Sequence, residues 1–367
     1  MNDEIDKLLD FSKDSNKSMI CIPESIMKKN YFDGVMMHVV LIRSYTDKAW
    51  RSPQTYDAIE SSLRKRWSVS VIHTTDVETL KKELQKYQKQ YGQQIFVFNI
   101  AEYLDEDHKI GFLPAILDEL GIPHLGSSAT SNRAGLDKAA AKELFMKHEV
   151  PTPSFFVAEE KADITKEAVE AIGFPLIVKP LHEGGHIGID ERSIVRDIQH
   201  LEKAVERILD EYEQPALIED YIVAEGMREF SVGVIEGEPS LFTPIEIDFD
   251  AMDTDQQILS FDLAQNDLEE ICLVEEEGVR LRINQLAADA FDAVGAEDYS
   301  RVDIRMNATG YYVLEINTMP GLGPHSFLPQ AVDQIYDLDF TGLIEHLTEH
   351  ALQRQNPPVK TNKNLLV

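Results

Sequence analysis

Residues 300–317 read "SRVDIRMNATGYYVLEIN", two runs rich in strand-forming residues around a turn-forming "NATG". With Ala308, Thr309 and Gly310 as a three-residue loop, and Gly310 in the left-handed conformation, Asn307 stands opposite Tyr311. Carried along both strands, that register sets Asp303 opposite Glu315 and Arg301 opposite Asn317. Side chains alternate between faces along a strand, so one register sorts the whole hairpin. One face reads Val302, Ile304, Met306, Tyr312, Leu314 and Ile316, apolar and ready for burial. The other gathers Arg301, Asp303, Glu315 and Asn317. A solvated, salt-bridged outer face is the ordinary explanation for polar residues on a hairpin. Here, however, two carboxylates and an amide lie on neighbouring strands, the oxygen donors that a hard cation such as Mg²⁺ takes. A guanidinium beside them suits a phosphate or a developing oxyanion. The pattern points to a metal–phosphate site.

Composition narrows what can bind there. A length of 367 residues allows two or three domains, each with its own core. No run approaches the ~18 apolar residues of a membrane span. The N-terminal "MNDEIDKLLDFSKDSNK" lacks the apolar centre of a secretory signal. Cys21 and Cys272 are the two cysteines, with no CxxC and no Cys/His ligand spacing, which argues against a disulfide framework or a zinc site. A cytoplasmic location is the expectation. The formal net charge of −30 argues against non-specific binding to nucleic acid or to an anionic membrane. It also requires any nucleotide site to carry its own positive groups.

Along the chain, residues 1–34 show no period and read as an N-terminal extension. Residues 35–128 alternate strand and helix: "MMHVVLIRSY", "TYDAIESSLRKRW", "SVSVIHT", "VETLKKELQKYQKQYG", "QQIFVFNI" and "GFLPAILDELGIPHLG". That alternation predicts a parallel α/β domain. It carries no GxGxxG after its first strand, so nothing supports a dinucleotide role. Residues 129–215 form a second unit, with Asp137 capping a helix to about His148, a strand "FPLIVKP" and a helix within 192–212. Residues 216–352 form a third, opened by strands "PALIEDYI" and "REFSVGVIEG" and closed by the helix "DFTGLIEHLTEHALQRQ". Residues 353–367 read as a tail.

Several groups in the second and third units suit a nucleotide. Lys179 ends the strand "PLIVK" ahead of a loop containing Gly184, Gly185, His186 and Gly188, whose backbone can approach phosphate oxygens closely. Taken alone, such a loop is more often a simple connector. Lys138 sits in a first helical turn, where the helix dipole disfavours a lysine unless an anion compensates it. In "ALIEDYI", apolar residues run into Glu219 and Asp220 and return to Tyr221 and Ile222, which suits the edge of a flat heterocycle. Glu229 can accept from sugar hydroxyls. After Asn317, "TMPGLGPHSFLP" fixes a loop in which the Gly321 backbone can hold an oxyanion. Ser326 and the N–H of Phe327, at a helix start, can hold a carboxylate. His325 reads as a packing or hydrogen-bonding residue.

Taken in order, these pieces resemble the ATP-grasp superfamily, and within it the D-alanine–D-alanine ligase-like carboxylate–amine ligases. "HLGSSATSNRAGLDKAAAKELFMKHEVPTPSF", "FPLIVKPLHEGGHIG", "LIEDYI" and "SRVDIRM…YYVLEINTMPGLGPHSFLP" are similar to that family's signatures over roughly residues 120–335. The resemblance implies an ATP-grasp fold, with a parallel α/β domain, a small central subdomain and a C-terminal mixed-sheet domain. It implies ATP and two Mg²⁺ ions, with Mn²⁺ as a substitute. Asp303, Glu315 and Asn317 are then metal ligands. Lys138 and Lys179 contact the ATP phosphates, and Gly185 and His186 of the glycine-rich loop bind the nucleotide with them. Glu219 and the backbone of Asp220, Tyr221 and Ile222 hold adenine, and Glu229 holds ribose. Arg301 and Gly321 stabilise the tetrahedral intermediate, and Ser326 and Phe327 hold the incoming amino acid. A small carboxylate and an amino acid are the implied substrates, a loop around 246–268 is expected to close over ATP, and a homodimer follows by analogy. The sequence departs from the family at "YTDKAWRSPQTYDAIE", where a glutamate that anchors an ammonium has no clear counterpart. "EGGH" stands where the family has "EGSS". Ala264–Gln265 stands where the family has an Ala-Lys pair. These departures favour a specialised ligase, with cell-wall D-alanine–D-alanine synthesis and an ATP-binding module without turnover as the alternatives.

Overall fold

The computed structural model describes residues 37–43, 51–74, 76–101, 104, 110–223, 226–252, 257–261, 263 and 270–355. The extension 1–34, the Ala264–Gln265 placement and the end of the tail lie outside them. The first unit runs β1 (His38–Arg43), α1 (Pro53–Leu63), β2 (Ser68–His73), α2 (Val77–Tyr91), β3 (Ile95–Phe98) and α3 (Phe112–Leu120). Its sheet is parallel, in the order β2-β1-β3. Strand β1 is apolar from Val39 to Ile42, and these residues are covered on both sides. Val39 and Leu41 pack with α1 residues Tyr56, Ile59 and Leu63, whereas Val40 and Ile42 pack with Leu80, Leu84 and Leu117 of α2 and α3. The helices begin where side-chain caps permit: Ser52 ahead of Pro53, and Asp76, whose carboxylate accepts from the Thr79 N–H at 2.7 Å.

The second unit comprises α4 (Ala129–Leu136), α5 (Lys138–Lys147), β4 (Phe155–Ala158), α6 (Lys166–Ile172), β5 (Leu176–Pro180), β6 (Ile194–Val195), α7 (Ile198–Tyr212) and β7 (Ala216–Asp220). Asp137 caps α5 as its sequence suggests, accepting from the Ala140 N–H at 3.0 Å. The antiparallel sheet has the order β4-β7-β5-β6, backed by the apolar face of α7. Strand β7, expected to open the third unit, instead pairs with β4 and β5. Its run "ALIED" is buried because it is the second strand of this sheet, not an edge of the next.

The third unit comprises β8 (Arg228–Ile235), β9 (Leu241–Ile247), β10 (Ile271–Leu273), α8 (Glu277–Val294), β11 (Tyr299–Asn307), β12 (Gly310–Asn317), α9 (Phe327–Tyr336) and α10 (Phe340–Gln355). Its antiparallel sheet has the order β10-β9-β8-β11-β12. One face packs on α8, with Ala141 and Phe145 of α5 in the same core. Helices α9 and α10 return to the first unit, where Leu328, Val332, Leu343 and Leu347 share a core with α1. Arg354 at the end of α10 grips the buried Asp298 through Nε at 2.9 Å and Nη2 at 2.8 Å.

The hairpin β11–β12 corrects the expected turn. Its loop has two residues, Ala308 and Thr309, and Asn307 pairs with Gly310. The Asn307 Oδ1 accepts from the Thr309 N–H at 2.9 Å, and this side-chain turn fixes the tighter loop. A bulge at Leu314 then restores the register, so Asp303 faces Glu315 and Arg301 faces Asn317. Between turn and bulge the faces are exchanged. Val313 and Tyr311, not Leu314 and Tyr312, join Val302, Ile304, Met306 and Ile316 in the core.

Candidate active site

Two adjoining cavities lie between the central and C-terminal sheets and share Glu315 as a wall. The first is lined by Ile177, Lys179, His186 and Glu219–Ile222 on one side. Glu229, Asp303, Arg305, Leu314 and Glu315 line the other, with Ile258 and Leu259 at its margin. The second is lined by Lys138, Glu183, Gly184, Glu315, Asn317 and Thr318. Groups drawn from separate stretches of sequence thus line two cavities that meet at Glu315. The bulge turns Leu314, beside Glu315, into the first of these instead of the core.

The acidic groups are bonded to or faced by cationic side chains. Asp303 accepts from Ser231 Oγ at 2.7 Å and from both Arg301 Nε at 3.0 Å and Nη2 at 2.8 Å. Burial acts to raise the pKa of Glu315, but Lys138, whose Nζ lies 3.7 Å away, together with His186, Lys179 and Arg301, brings it down to about 2. The Asn317 Oδ1 accepts from the Met319 N–H at 3.1 Å. Two carboxylates, one of them held firmly ionised, and an amide oxygen stand side by side on paired strands. That donor set is chemically suited to Mg²⁺, which prefers oxygen ligands and few protein carboxylates.

The basic groups meet from the other side. Lys138 Nζ also donates to the Glu183 carbonyl, tying the first turn of α5 to the glycine-rich loop. In that loop Gly185 (φ 62°), His186 (φ 60°) and Gly188 (φ 77°) are left-handed. A Cβ on Gly188 would come within 2.5 Å of Pro180 Cγ, so only glycine lets the loop fold back over its own strand. His186 accepts that conformation at a cost of about 1 kcal/mol. Burial lowers its pKa more strongly than nearby Glu315 raises it.

Glu219 sits between two lysines: Lys179 Nζ contacts its Oε1, and Lys142 Nζ lies 2.8 Å from Oε2. Burial opposes the charge of Glu219, yet both lysines hold its pKa below the usual range. Lys142 did not stand out in the sequence, although its spacing of four from Lys138 puts both on one side of α5. Arg305 was also passed over, although it follows Arg301 and Asp303 at the strand period of two. Of the "EDYI" segment, the Asp220 and Tyr221 N–H groups donate to the Ser154 and Pro175 carbonyls, so the segment is fixed by its neighbours.

The loop after Asn317 lies against the first unit. Arg51, buried at the start of α1, donates from Nη2 to the Met319 carbonyl at 3.1 Å. The Ser326 Oγ accepts from the Gly323 N–H at 3.2 Å and makes no cap bond to α9. His325 is exposed, not packed, and its carbonyl accepts from Gln330 Nε2 at 2.6 Å. Gly321 and Phe327 flank this turn.

Comparison with known proteins agrees with this geometry. The model of the family described as D-ala D-ala ligase C-terminus matches residues 144–349. A D-alanine–D-alanine ligase of Hydrogenovibrio crunogenus is 34% identical over 240 residues, which are 64% of this chain and 71% of that protein. The solved D-alanine–D-alanine ligase of Bacillus anthracis, complexed with ATP, superposes with a TM-score of 0.68 at 22% identity, covering 88% of this chain and 98% of that one. The VanG D-Ala:D-Ser ligase of Enterococcus faecalis superposes with a TM-score of 0.66 at 19% identity, covering 86% and 99%. The fold is that of the ATP-grasp ligases.

Proposed function

This chain belongs to the D-ala D-ala ligase C-terminus family, and from that membership we propose how its site works as an ATP-dependent carboxylate–amine ligase. The observation that carries the reading is that Asp303 and Lys179 line one cavity, Lys138 and Asn317 line the next, and Glu315 lines both. The triphosphate lies between the two lysines and the Gly185–His186 turn. Asp303, Glu315 and Asn317 would hold two Mg²⁺ ions, or Mn²⁺ in their place, which would supply charge to neutralise and orient the phosphates. The base lies against Ile177 and Leu314, with Glu219 and the Asp220–Ile222 backbone at its edge and Glu229 at the ribose.

The reaction follows from that arrangement. A substrate carboxylate oxygen attacks the γ-phosphorus, the bond to ADP breaks, and an acyl phosphate forms. The amine attacks its carbonyl carbon; the oxyanion of the resulting tetrahedral intermediate is stabilised by Arg301 and the Gly321 N–H. Phosphate leaves and an amide remains. The protein contributes position and charge more than covalent chemistry. Ser326 and the N–H of Phe327 take the carboxylate of the amino acid that supplies the amine.

D-Alanine is the substrate that the named relatives favour. A second reading, a ligase for another carboxylate partner, draws on Arg51. This buried cation stands within the stretch where the resemblance called for a carboxylate, and it reaches the loop after Asn317. ADP release measured across D-alanine, other amino acids and small carboxylates, with mass spectrometry of the products, decides between them. D-Alanyl-D-alanine as sole product supports the first reading, and a different amide supports the second. Tight Mg·ATP binding with no amide from any pair would leave a nucleotide-binding module. Among the described residues no helix is long and apolar enough to cross a membrane. The proposal includes a cytoplasmic homodimer that binds neither nucleic acid nor membrane. Light scattering reads its oligomeric state.

A further inference from the structure

Arg305 lines the first cavity two residues beyond Asp303 and has no part in the reading above. It is buried, yet its guanidinium is directed to three different pieces of chain. Nε donates to Glu229 Oε2 at 2.5 Å, Nη1 to the Ile222 carbonyl at 3.3 Å, and Nη2 to the Gln257 carbonyl at 2.6 Å. Its Cζ lies 4.9 Å from the centre of the Tyr221 ring, and the Tyr221 hydroxyl donates to the same Gln257 carbonyl at 2.8 Å.

Gln257 leads a stretch that bridges the two sheets. Ile258 packs with Ile177, Ile189 and Tyr221; Leu259 lines the cavity; and the Phe261 N–H donates to the Ile189 carbonyl at 3.0 Å. Residues 257–261 therefore cover the cavity from the C-terminal unit to the central sheet, and Arg305 fastens the leading end of that cover. The same guanidinium fixes Glu229. A carboxylate among apolar walls is poorly defined without a partner, whereas a planar fork holds one oxygen and leaves the other for hydroxyl donors.

We propose that Arg305 is a positioning residue that sets Glu229 for the nucleotide's ribose and pins residues 257–261 over the slot, so that sugar recognition and attachment of the cover depend on one guanidinium. The proposal rests on the ATP-ligase reading. A lysine cannot replace this arginine fully, because a point charge does not serve three acceptors in three directions.

The test uses the full chain with Arg305→Met and Arg305→Lys, assayed with ATP and with 2′-deoxyATP, and hydrogen exchange of residues 257–261. Losing a charge-assisted contact to the sugar carboxylate should raise KM for ATP by about tenfold or more. The change in kcat should be smaller. The preference for ATP over 2′-deoxyATP should shrink toward unity in Arg305→Met, and exchange at 257–261 should quicken. Arg305→Lys should recover part of the KM and little of the protection. If Arg305→Met does not fold, Arg305→Lys carries the same readouts, and Tyr221→Phe, which loses a bond to the Gln257 carbonyl, carries the exchange at 257–261. A folded variant with unchanged KM, sugar preference and exchange would overturn the proposal. Absence of turnover in the wild type would count against the ligase reading alone, because calorimetric affinities for the two nucleotides still test Arg305.

Discussion

Lys142 Nζ and Glu219 Oε2 lie 2.8 Å apart, both withdrawn from water, one on helix α5 and the other on strand β7. Lys142 also donates to Thr152 Oγ1 at 2.8 Å, whose hydroxyl in turn donates to the Val313 carbonyl at 2.7 Å. One buried ammonium thus ties the helix bearing Lys138 to the strand bearing Glu219 and, through Thr152, to the strand bearing Glu315. Burial lowers the pKa of Lys142 despite the pull of Glu219, so the pair is held by geometry against a desolvation cost. Removing the carboxylate would strand two cations, Lys142 and Lys179. Glu219→Gln is expected to lower the free energy of unfolding in urea by about 3 kcal/mol or more. Lys142→Met leaves the Lys179–Glu219 pair intact and should cost less than half as much.

The same pair sets a pH dependence. Burial acts to raise the pKa of Glu219, but Lys142 and Lys179 together bring it below the usual value of 4.5. A carboxylate whose folded pKa is depressed contributes stability that is fully present above its unfolded pKa and is lost as pH falls through its folded one. Urea midpoints should therefore fall in the wild type as pH drops below about 4.5. Glu219→Gln, already destabilised, should show a shallower slope over that range. Parallel slopes would contradict the assignment.

How much of this was legible depended on whether the signal was local. Asp303 opposite Glu315 followed from the strand period, yet it was reached through two departures that cancel. The loop is one residue shorter than expected, and the Leu314 bulge takes up the difference. Nothing in "YYVLEIN" marks Leu314 as bulged; what places it is the need for Glu315 to face the cavity while Val313 faces the core. The capped helices and apolar strands of the first unit were readable because their cause lies within a few residues. Helix α8 (Glu277–Val294) and the place of β7 were not, since both depend on which sheet covers them. Lys142 and Arg305 carried readable spacings, and their weight becomes visible only when Glu219 and Glu229 are found in contact with them.

Glu315 separates the chemistry from the fold. Its carboxylate sits within reach of Lys138 and faces Asp303, at the wall shared by both cavities. Glu315→Gln keeps the shape and an oxygen but removes the charge. Turnover should drop by about a hundredfold or more, as when a group aimed at developing or bound charge is removed from a preorganised site. Near-ultraviolet circular dichroism should be unchanged. Full ADP release by the variant would rule out the metal assignment.

The approach of the substrate loop to helix α1 offers a test of how the first unit shapes the amine site. Gly323 has no room for a side chain: an added Cβ would lie 2.8 Å from Thr55 Oγ1 and 3.2 Å from Ser326 Oγ. Thr55 is in the first turn of α1, capped by Ser52, so it cannot retreat without unwinding that turn. Gly323→Ala must instead push the loop away and disturb Ser326, whose hydroxyl accepts from the Gly323 N–H. The KM of the amine substrate should rise several-fold while that of ATP changes little. Thr55→Ala removes the obstructing Oγ1 and Cγ2, so the double variant should regain most of the lost affinity. In a double-mutant cycle the coupling energy between the two positions should exceed about 0.5 kcal/mol, as for residues in direct contact. Additive effects would show that α1 does not press on the loop.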